Sequence, residues 1–539
     1  MTLDFFLFLV ATALGLWVFR YILSRWQHAR NGRKLGCGPI PAYPINLLGT
    51  STLKESLQAD KEKLIPEMSE RRVKYMSDKE GRLVSTFGLT SLNKRHIFTV
   101  DPKNIQAILA TQFKDFELGK PRRNALHALL GTGIVSSTVL RQRYSSEVTD
   151  PLDQFTADGH EWSRSRALLR PQFTRDQISD LDLEERHVQN AMQALPVANN
   201  GWTATTDIQA IFFRLTIDSA TEFLFGESVD TQLTSLRGQA VENFPYYFDK
   251  SQWYSAQRAR FDSLHWLVNN KESRHSDQQV HAFVDHFVQR ALEIVQEEKT
   301  KGDEEKSSNY VFLNALAGTT QDPIELRSQL LNILLAGRDT TASLLSWTVL
   351  LLARHPAVLK KLRQTVVDEF GTYSQPRNIT FASLKSCQYL QQTLSEVLRL
   401  YPVVPLNRRT AVRDTTIPRG GGPDGLQPVY VRKGQSVMYS THALQRRKDI
   451  WGEDADRFDP DRWTDRKVSW DYIPFNGGPR ICIGQQFALT EAGYVMVRLL
   501  QRFDDIEDVY PDRRIRYGLT LTSCPADPTT VRLHEAADA

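Results

Sequence analysis

The stretch 474–488, PFNGGPRICIGQQFA, places Cys482 among glycines, two residues after Arg480 and ahead of a helical pattern. A thiolate needs positive neighbours and backbone N–H donors to hold its charge. This stretch supplies a glycine-rich turn, and the helix that follows presents its positive N-terminal end. Gly478 and Gly484 let a bulky flat group lie close to the backbone. Phe475 can pack beside the sulfur, and Arg480 can reach an anionic edge of the same group. A nucleophilic cysteine wants a histidine base, yet no histidine lies within thirty residues of Cys482. A thiolate serving as axial ligand to haem iron fits these pieces better, because it pushes electron density into the iron and favours O–O cleavage.

A second set of residues sits in AGRDTT, Ala336 to Thr341. A small pair in an otherwise bulky helix opens a gap for a ligand. Asp339 and Thr340 follow at once, and an acid and a hydroxyl on a buried helix are costly unless they serve each other or water. Thr340 can hydrogen-bond the carbonyl four residues back. In EVLR, Glu396 and Arg399 are one helical turn apart and able to pair. In HEWSRSR, Trp162 and Arg166 are four apart and so share one helix face.

The spacing F-x-x-G-x-R-x-C-x-G, carried by Phe475, Gly478, Arg480, Cys482 and Gly484, resembles the haem-ligand loop of the cytochrome P450 monooxygenases. That resemblance implies a mainly α fold with minor β (the cytochrome P450 fold) and haem b, iron protoporphyrin IX, held by Cys482. It implies that Asp339 and Thr340 deliver protons to iron-bound dioxygen. It implies that Phe475, Arg480, Trp162, Arg166 and Arg409 bind the cofactor, Trp162 and Arg166 at one haem propionate and Arg409 at the other. Arg408 is the neighbouring candidate for that last role. Glu396, Arg399 and Arg462, the last from FDPDRW, are implied to form a buried structural network. Electrons are expected from NADPH through a separate NADPH–cytochrome P450 reductase. Arg446, Arg447 and Lys448 are candidates for its docking face, against the plainer reading of a solvated charge run.

The segments PRGGGPDG, VRKGQSVMYSTHALQRRKDIWG and LLRPQF look most like the fungal alkane- and fatty-acid-hydroxylating branch. The implied substrate is a small apolar molecule, a long chain oxidised at or near its end. A tailoring oxygenase for a secondary metabolite would use the same catalytic residues with another pocket shape. A catalytically silent haem protein is the reading from another class, and intact Asp339 and Thr340 argue against it. Pocket candidates are residues 126–134, Phe212, Phe213, the central helix and residues 404–406. No acidic residue occurs in 331–335, so an ester link between this helix and haem is not suggested.

One stretch departs from that branch. Residues 135–154, VSSTVLRQRYSSEVTDPLDQ, are polar and aperiodic and fall just before the helix of Trp162. Long structureless loops inside compact domains are unusual. The stretch also reads as a retained intron, since its Val-Ser, Thr-Asp and Gln codons can encode a donor site, a branch point and an acceptor. The alternative is a genuine surface loop.

These residues need a scaffold to position them. The pattern over 323–354 predicts a central helix of about thirty residues. Asp322 caps it, Pro323 opens it, Glu325 completes a capping box, and Pro356 follows its end. Further helices are predicted over 356–370, over 389–400 and from just after Cys482 toward Phe503. Strands are predicted over 83–89, 96–100, 428–431 and 436–440. The chain is 41% hydrophobic, ample for one large core, and is read as one catalytic domain over residues 50–539.

Ahead of it, residues 3–23 carry only Asp4 and Arg20 as charges, about the twenty residues a helix needs to cross the hydrocarbon core. Residues 1–24 are therefore expected to form a single transmembrane anchor, and the basic, Pro/Gly-rich residues 25–49 a linker. The basic excess follows the apolar run, which places the domain on the cytosolic side, at the endoplasmic reticulum membrane. A balance of 67 basic against 63 acidic residues argues against nucleic-acid binding. The four cysteines, Cys37, Cys387, Cys482 and Cys524, are too far apart in sequence for a zinc knuckle or redox pair.

Overall fold

The computed structural model describes residues 3–46, 49–91, 94–131, 157–173, 181–239, 243–301 and 311–539. The stretch 135–154 and pocket candidates 132–134 lie outside these residues. The architecture is mainly helical with small sheets, as the sequence led one to expect.

Helix α1 spans Leu3–Lys34 and so continues through residues 25–34, where a linker was expected. Phe5, Leu7, Phe8, Leu16, Val18, Phe19, Ile22 and Leu23 are exposed along it. Among the described residues no single helix is long and apolar enough to cross a membrane. Helices α2 (Lys120–Leu130), α3 (Ala157–Leu169), α4 (Ile208–Phe225), α5 (Asn243–Phe261) and α6 (Lys271–Lys301) follow. The central helix is α7 (Pro323–Arg354), succeeded by α8 (Pro356–Phe370), α9 (Gln388–Leu400) and α10 (Gln485–Arg502).

Local chemistry explains the limits of α7. The Asp322 carboxylate accepts from the N–H groups of Ile324 at 2.9 Å and Glu325 at 3.3 Å, and Pro323 needs no donor in the first turn. Glu325 does not turn back to complete a capping box. Its carboxylate accepts from Arg164 at 2.9 Å and from the Thr320 hydroxyl at 2.7 Å. A charged partner on α3 outcompetes the local backbone N–H. Gln329 Nε2 also donates to Ser165 Oγ at 2.8 Å, so two contacts tie α3 to α7. At the far end the helix stops at His355, since the residue before a proline is pushed out of helical conformation.

Strands β1 (Thr86–Ser91), β2 (Lys94–Thr99), β3 (Phe116–Glu117), β4 (Leu406–Ala411), β5 (Thr415–Gly421), β6 (Gln427–Val431) and β7 (Ser436–Ser440) supply the minor sheet. The order of the five-stranded sheet is β1-β2-β7-β4-β3, with β2 and β7 parallel and the other pairs antiparallel. Hairpin β5–β6 stands apart and receives the C-terminal part of α1. There Asn31 donates to the Tyr430 hydroxyl at 3.3 Å, and Arg432 to Ser24 Oγ at 2.6 Å. The His28 ring lies 4.8 Å from that of Tyr430. A second hairpin, β8 (Tyr517–Leu519) with β9 (Ser523–Pro525), packs on α7 through Trp347, whose indole N–H donates to the Ser523 carbonyl at 3.2 Å. Trp347 is fully buried and stacks on Tyr401 at 4.4 Å. Burial of a side chain of that size stabilises by about 4–6 kcal/mol at most.

Candidate functional site

Register and turn chemistry shape the loop around Cys482. The Cys482 N–H donates to the Phe475 carbonyl at 3.0 Å and closes the loop. Gly478 has φ +67°, and a Cβ there would overlap the Leu109 carbonyl oxygen, so glycine is required on both counts. Asn476 also has positive φ, +61°, and is pinned by the Tyr439 hydroxyl, which donates to its Oδ1 at 2.7 Å. Phe475 packs against the main core. The surrounding protein desolvates the sulfur. Burial pushes the Cys482 thiol up from its ordinary value, against the pull of the Gly484 backbone and the Arg166 charge. A bound metal cation deprotonates such a thiol outright.

Cations gather around this loop. Alternation along β4 puts Arg409 and Asn407 on one face, where Arg409 donates to Asn407 Oδ1 at 3.1 Å and lies 6.0 Å from the Tyr439 ring. Arg409 is buried and Arg408 half-buried, which favours Arg409 of the two candidates as an inward-facing group. Arg122, on α2, donates to the same Asn407 oxygen at 3.4 Å. Its guanidinium is pushed down to about 10 by burial and by the charges of Arg409, Arg408 and Arg480. Such a cluster of like charges is an anion site. Sequence reasoning missed Arg122, because its neighbours come from 285 residues away in the chain.

Arg480 lies over the rings of Trp162 at 4.9 Å and Phe113 at 5.5 Å. Arg166 donates to the Ile481 carbonyl at 3.0 Å, beside Cys482. Trp162 and Arg166 do share one face, with the guanidinium 5.7 Å from the indole.

On α7, Thr340 Oγ1 donates to the Ala336 carbonyl at 2.6 Å, the local bond its position led one to expect. Ala336 is exposed, although residues 330–335 are buried. A Cβ at Gly337 would meet only Ala220 Cβ of α4, at an ordinary contact distance of 4.0 Å, so the helix has room at this position. Asp339 is buried and pairs with Arg338 at 3.2 Å. Burial pushes its carboxyl up to about 6, with Asp249 raising it further and Arg338 opposing. Of the other pocket candidates, Phe212 is buried in the main core, and Phe213 lies under Arg338 at 5.2 Å.

Beneath the site, Arg399 Nε and Nη2 each donate to Glu396 at 2.8 Å, both side chains fully buried. Arg399 also donates to the carbonyls of Gln445, Ala455 and Arg457. Glu396 accepts further from the Asp459 N–H and the Trp463 indole, each at 3.0 Å. Arg462 approaches Glu396 only to 3.5 Å and spends its stronger bond on Asp454 at 2.8 Å. Arg446, read as a docking-face candidate, is mostly buried and paired with Glu70 and Asp456. Arg447 and Lys448 pair with Asp449 and Glu453.

These residues fit a porphyrin: a sulfur that can serve as a donor to iron, glycine backbone beside it, and guanidinium groups for its carboxylates. The fold and this site define the class of haem-binding oxidoreductases. A cytochrome P450 family model matches residues 67–513. The Cytochrome P450 monooxygenase g430 of Fusarium sp is 49% identical over 96% of this chain and 87% of its own. Cytochrome P450 52A10 of Candida maltosa is 43% identical over 98% and 97% of the two chains. Cytochrome P450 monooxygenase alt2 of Alternaria solani is 42% identical over 95% and 94%. A crystal structure of the cytochrome P450DA heme domain superposes with a TM-score of 0.72 over 93% of this chain and 99% of its own, at 20% identity, which shows the fold. The chain belongs to the cytochrome P450 family of monooxygenases, whose cofactor is haem b and whose electrons come from a redox-partner reductase.

Proposed function

We propose that this enzyme inserts one oxygen atom of O2 into an unactivated C–H bond at or near the end of a long apolar chain, a fatty acid or an alkane. Haem b, when bound, supplies the activation of dioxygen. Cys482 holds the iron as thiolate, Phe475 shields the sulfur, and Arg480 and Arg409 take the propionates together with Arg122. Trp162 and Arg166 would serve one propionate from their shared helix face, beside Arg480, which lies 4.9 Å from the Trp162 ring. Asp339 and Thr340 hold and pass the proton. With its carboxyl near 6, Asp339 visits both protonation states around neutral pH. Glu396, Arg399 and Arg462 hold the scaffold of the ligand loop. Electrons come from NADPH through NADPH–cytochrome P450 reductase.

The observation that carries the substrate is the set of segments PRGGGPDG, VRKGQSVMYSTHALQRRKDIWG and LLRPQF, which resemble the alkane- and fatty-acid-hydroxylating branch. A tailoring oxygenase for a secondary metabolite would use the same catalytic residues with another pocket shape. A spectral titration of purified protein with graded fatty acids, alkanes and polyketide-like compounds separates the two. Chain lipids are expected to drive the iron from low to high spin. A response confined to polyketide-like compounds overturns the first reading in favour of the second.

The enzyme is further proposed to sit at the endoplasmic reticulum membrane through α1, domain in the cytosol, on the strength of the apolar run 3–23 and its exposed side chains. Removal of residues 1–34 is expected to release the protein into the supernatant of washed microsomes. Full retention of the shortened chain in the pellet contradicts the anchor.

A further inference from the structure

Arg338 is one residue ahead of Asp339 on α7, and its side chain is buried. Its guanidinium is shared by two carboxylates. Nη1 donates to Asp249 of α5 and, at 3.2 Å, to Asp339, and Nη2 reaches Asp249 Oδ2 at 3.3 Å. The guanidinium carbon also lies 5.2 Å from the Phe213 ring of α4 and 5.7 Å from the Phe248 ring of α5. The Asp339 side chain is 5% exposed and that of Asp249 59%. Gln252, also on α5, hydrogen-bonds Asp339. Cys524 on β9 reports the same field, its thiol pushed up to about 12 by burial and then by Asp339 and Asp249. The titratable and charged groups facing Asp339 among the described residues are therefore Arg338 on its own helix, Asp249 on α5 and Cys524 on β9.

Two carboxylates around one cation leave a net negative charge if all three ionise. Desolvation puts the compensating proton on the deeper acid. We propose that Arg338 is a positioning residue that, together with Asp249, sets the protonation state of Asp339 and so couples the seating of α5 to proton supply at the central helix. The inference rests on the reading of Asp339 as a proton carrier. Its signs are opposite for the two partners. Asp249→Asn removes a repelling charge and leaves Arg338 to Asp339 alone, so Asp339 ionises at lower pH. Arg338→Gln removes the cation, so Asp339 holds its proton to higher pH. A neighbouring charge at this range is worth about one to three pH units.

The test uses the full chain in membranes with its reductase, comparing Asp339→Asn, Asp249→Asn and Arg338→Gln. The infrared band of the protonated carboxyl, assigned by its loss in Asp339→Asn, is titrated with pH beside the product formed per NADPH consumed. The expected midpoints move down in Asp249→Asn and up in Arg338→Gln, with an unchanged reduced carbon-monoxide spectrum. Should Arg338→Gln fail to fold, Asp249→Asn at its half-exposed site carries the test alone. Unaltered turnover in Asp339→Asn overturns the proton-carrier role itself. A strong effect of Asp339→Asn with no downward movement in Asp249→Asn overturns the coupling alone.

Discussion

Cys482→Ala abolishes the thiolate-type band of the reduced carbon-monoxide complex and reduces turnover to background. Four features converge on this sulfur: the Phe475 carbonyl that fixes the Cys482 N–H, the Gly484 backbone, the Arg166 charge, and the glycine-only turn at Gly478. None of these is an alternative donor to iron. The loop itself should survive the change. The bond that closes it, from the Cys482 N–H to the Phe475 carbonyl, does not involve the side chain, and alanine removes only the Gly484 backbone bond to the sulfur. Absorption spectroscopy of the reduced carbon-monoxide complex is the measurement, with circular dichroism to confirm folding. A folded Cys482→Ala protein that keeps the long-wavelength band would place the ligand elsewhere and remove the basis of the proposed mechanism.

Chemistry that is local in sequence was legible there, and chemistry that is not was missed. The pairing of Glu396 with Arg399 follows from one helical turn, and the Thr340 bond to Ala336 from the i to i−4 geometry of a helix. The four helices and four strands expected from sequence were found within a few residues, Pro323 and Pro356 marking the limits of α7 and α8, whereas α2, α4, α5, α6 and strands β3, β4, β5, β8 and β9 were not anticipated. Partners brought together by tertiary packing gave no such sign. Asp249 is 89 residues from Arg338, and nothing in α5 announces that one of its acids turns toward α7. Glu325 was read as a cap because its offset from Asp322 suited one, while Arg164, from a distant helix, claimed the carboxylate. The overrun of α1 into residues 25–34 has a simpler cause. Arginine, glutamine and alanine there are good helix formers, and a basic composition does not end a helix.

Arg399→Ala costs about 3–5 kcal/mol, because it strands a carboxylate with no exposure in the protein interior. A domain is stable by only about 5–15 kcal/mol in all, so this one change removes about a fifth or more. Arg399→Lys recovers little. An ammonium cannot make two parallel bonds to Glu396 and also reach the carbonyls of Gln445, Ala455 and Arg457, which the fork of the guanidinium does. Arg462 is the informative contrast. The resemblance put it in the same network, but it stands 3.5 Å from Glu396, and its nearer partner, Asp454, is 52% exposed. A pair of that kind is worth about 1 kcal/mol or less. Arg462→Ala should therefore unfold and lose haem at a denaturant concentration only slightly below that of the native protein, and Arg399→Ala far below it. The comparison is made by following haem absorbance and helical ellipticity through a urea titration of each variant. Equal losses in the two would mean that Glu396 depends on both arginines alike, and the hierarchy read from these distances would be wrong.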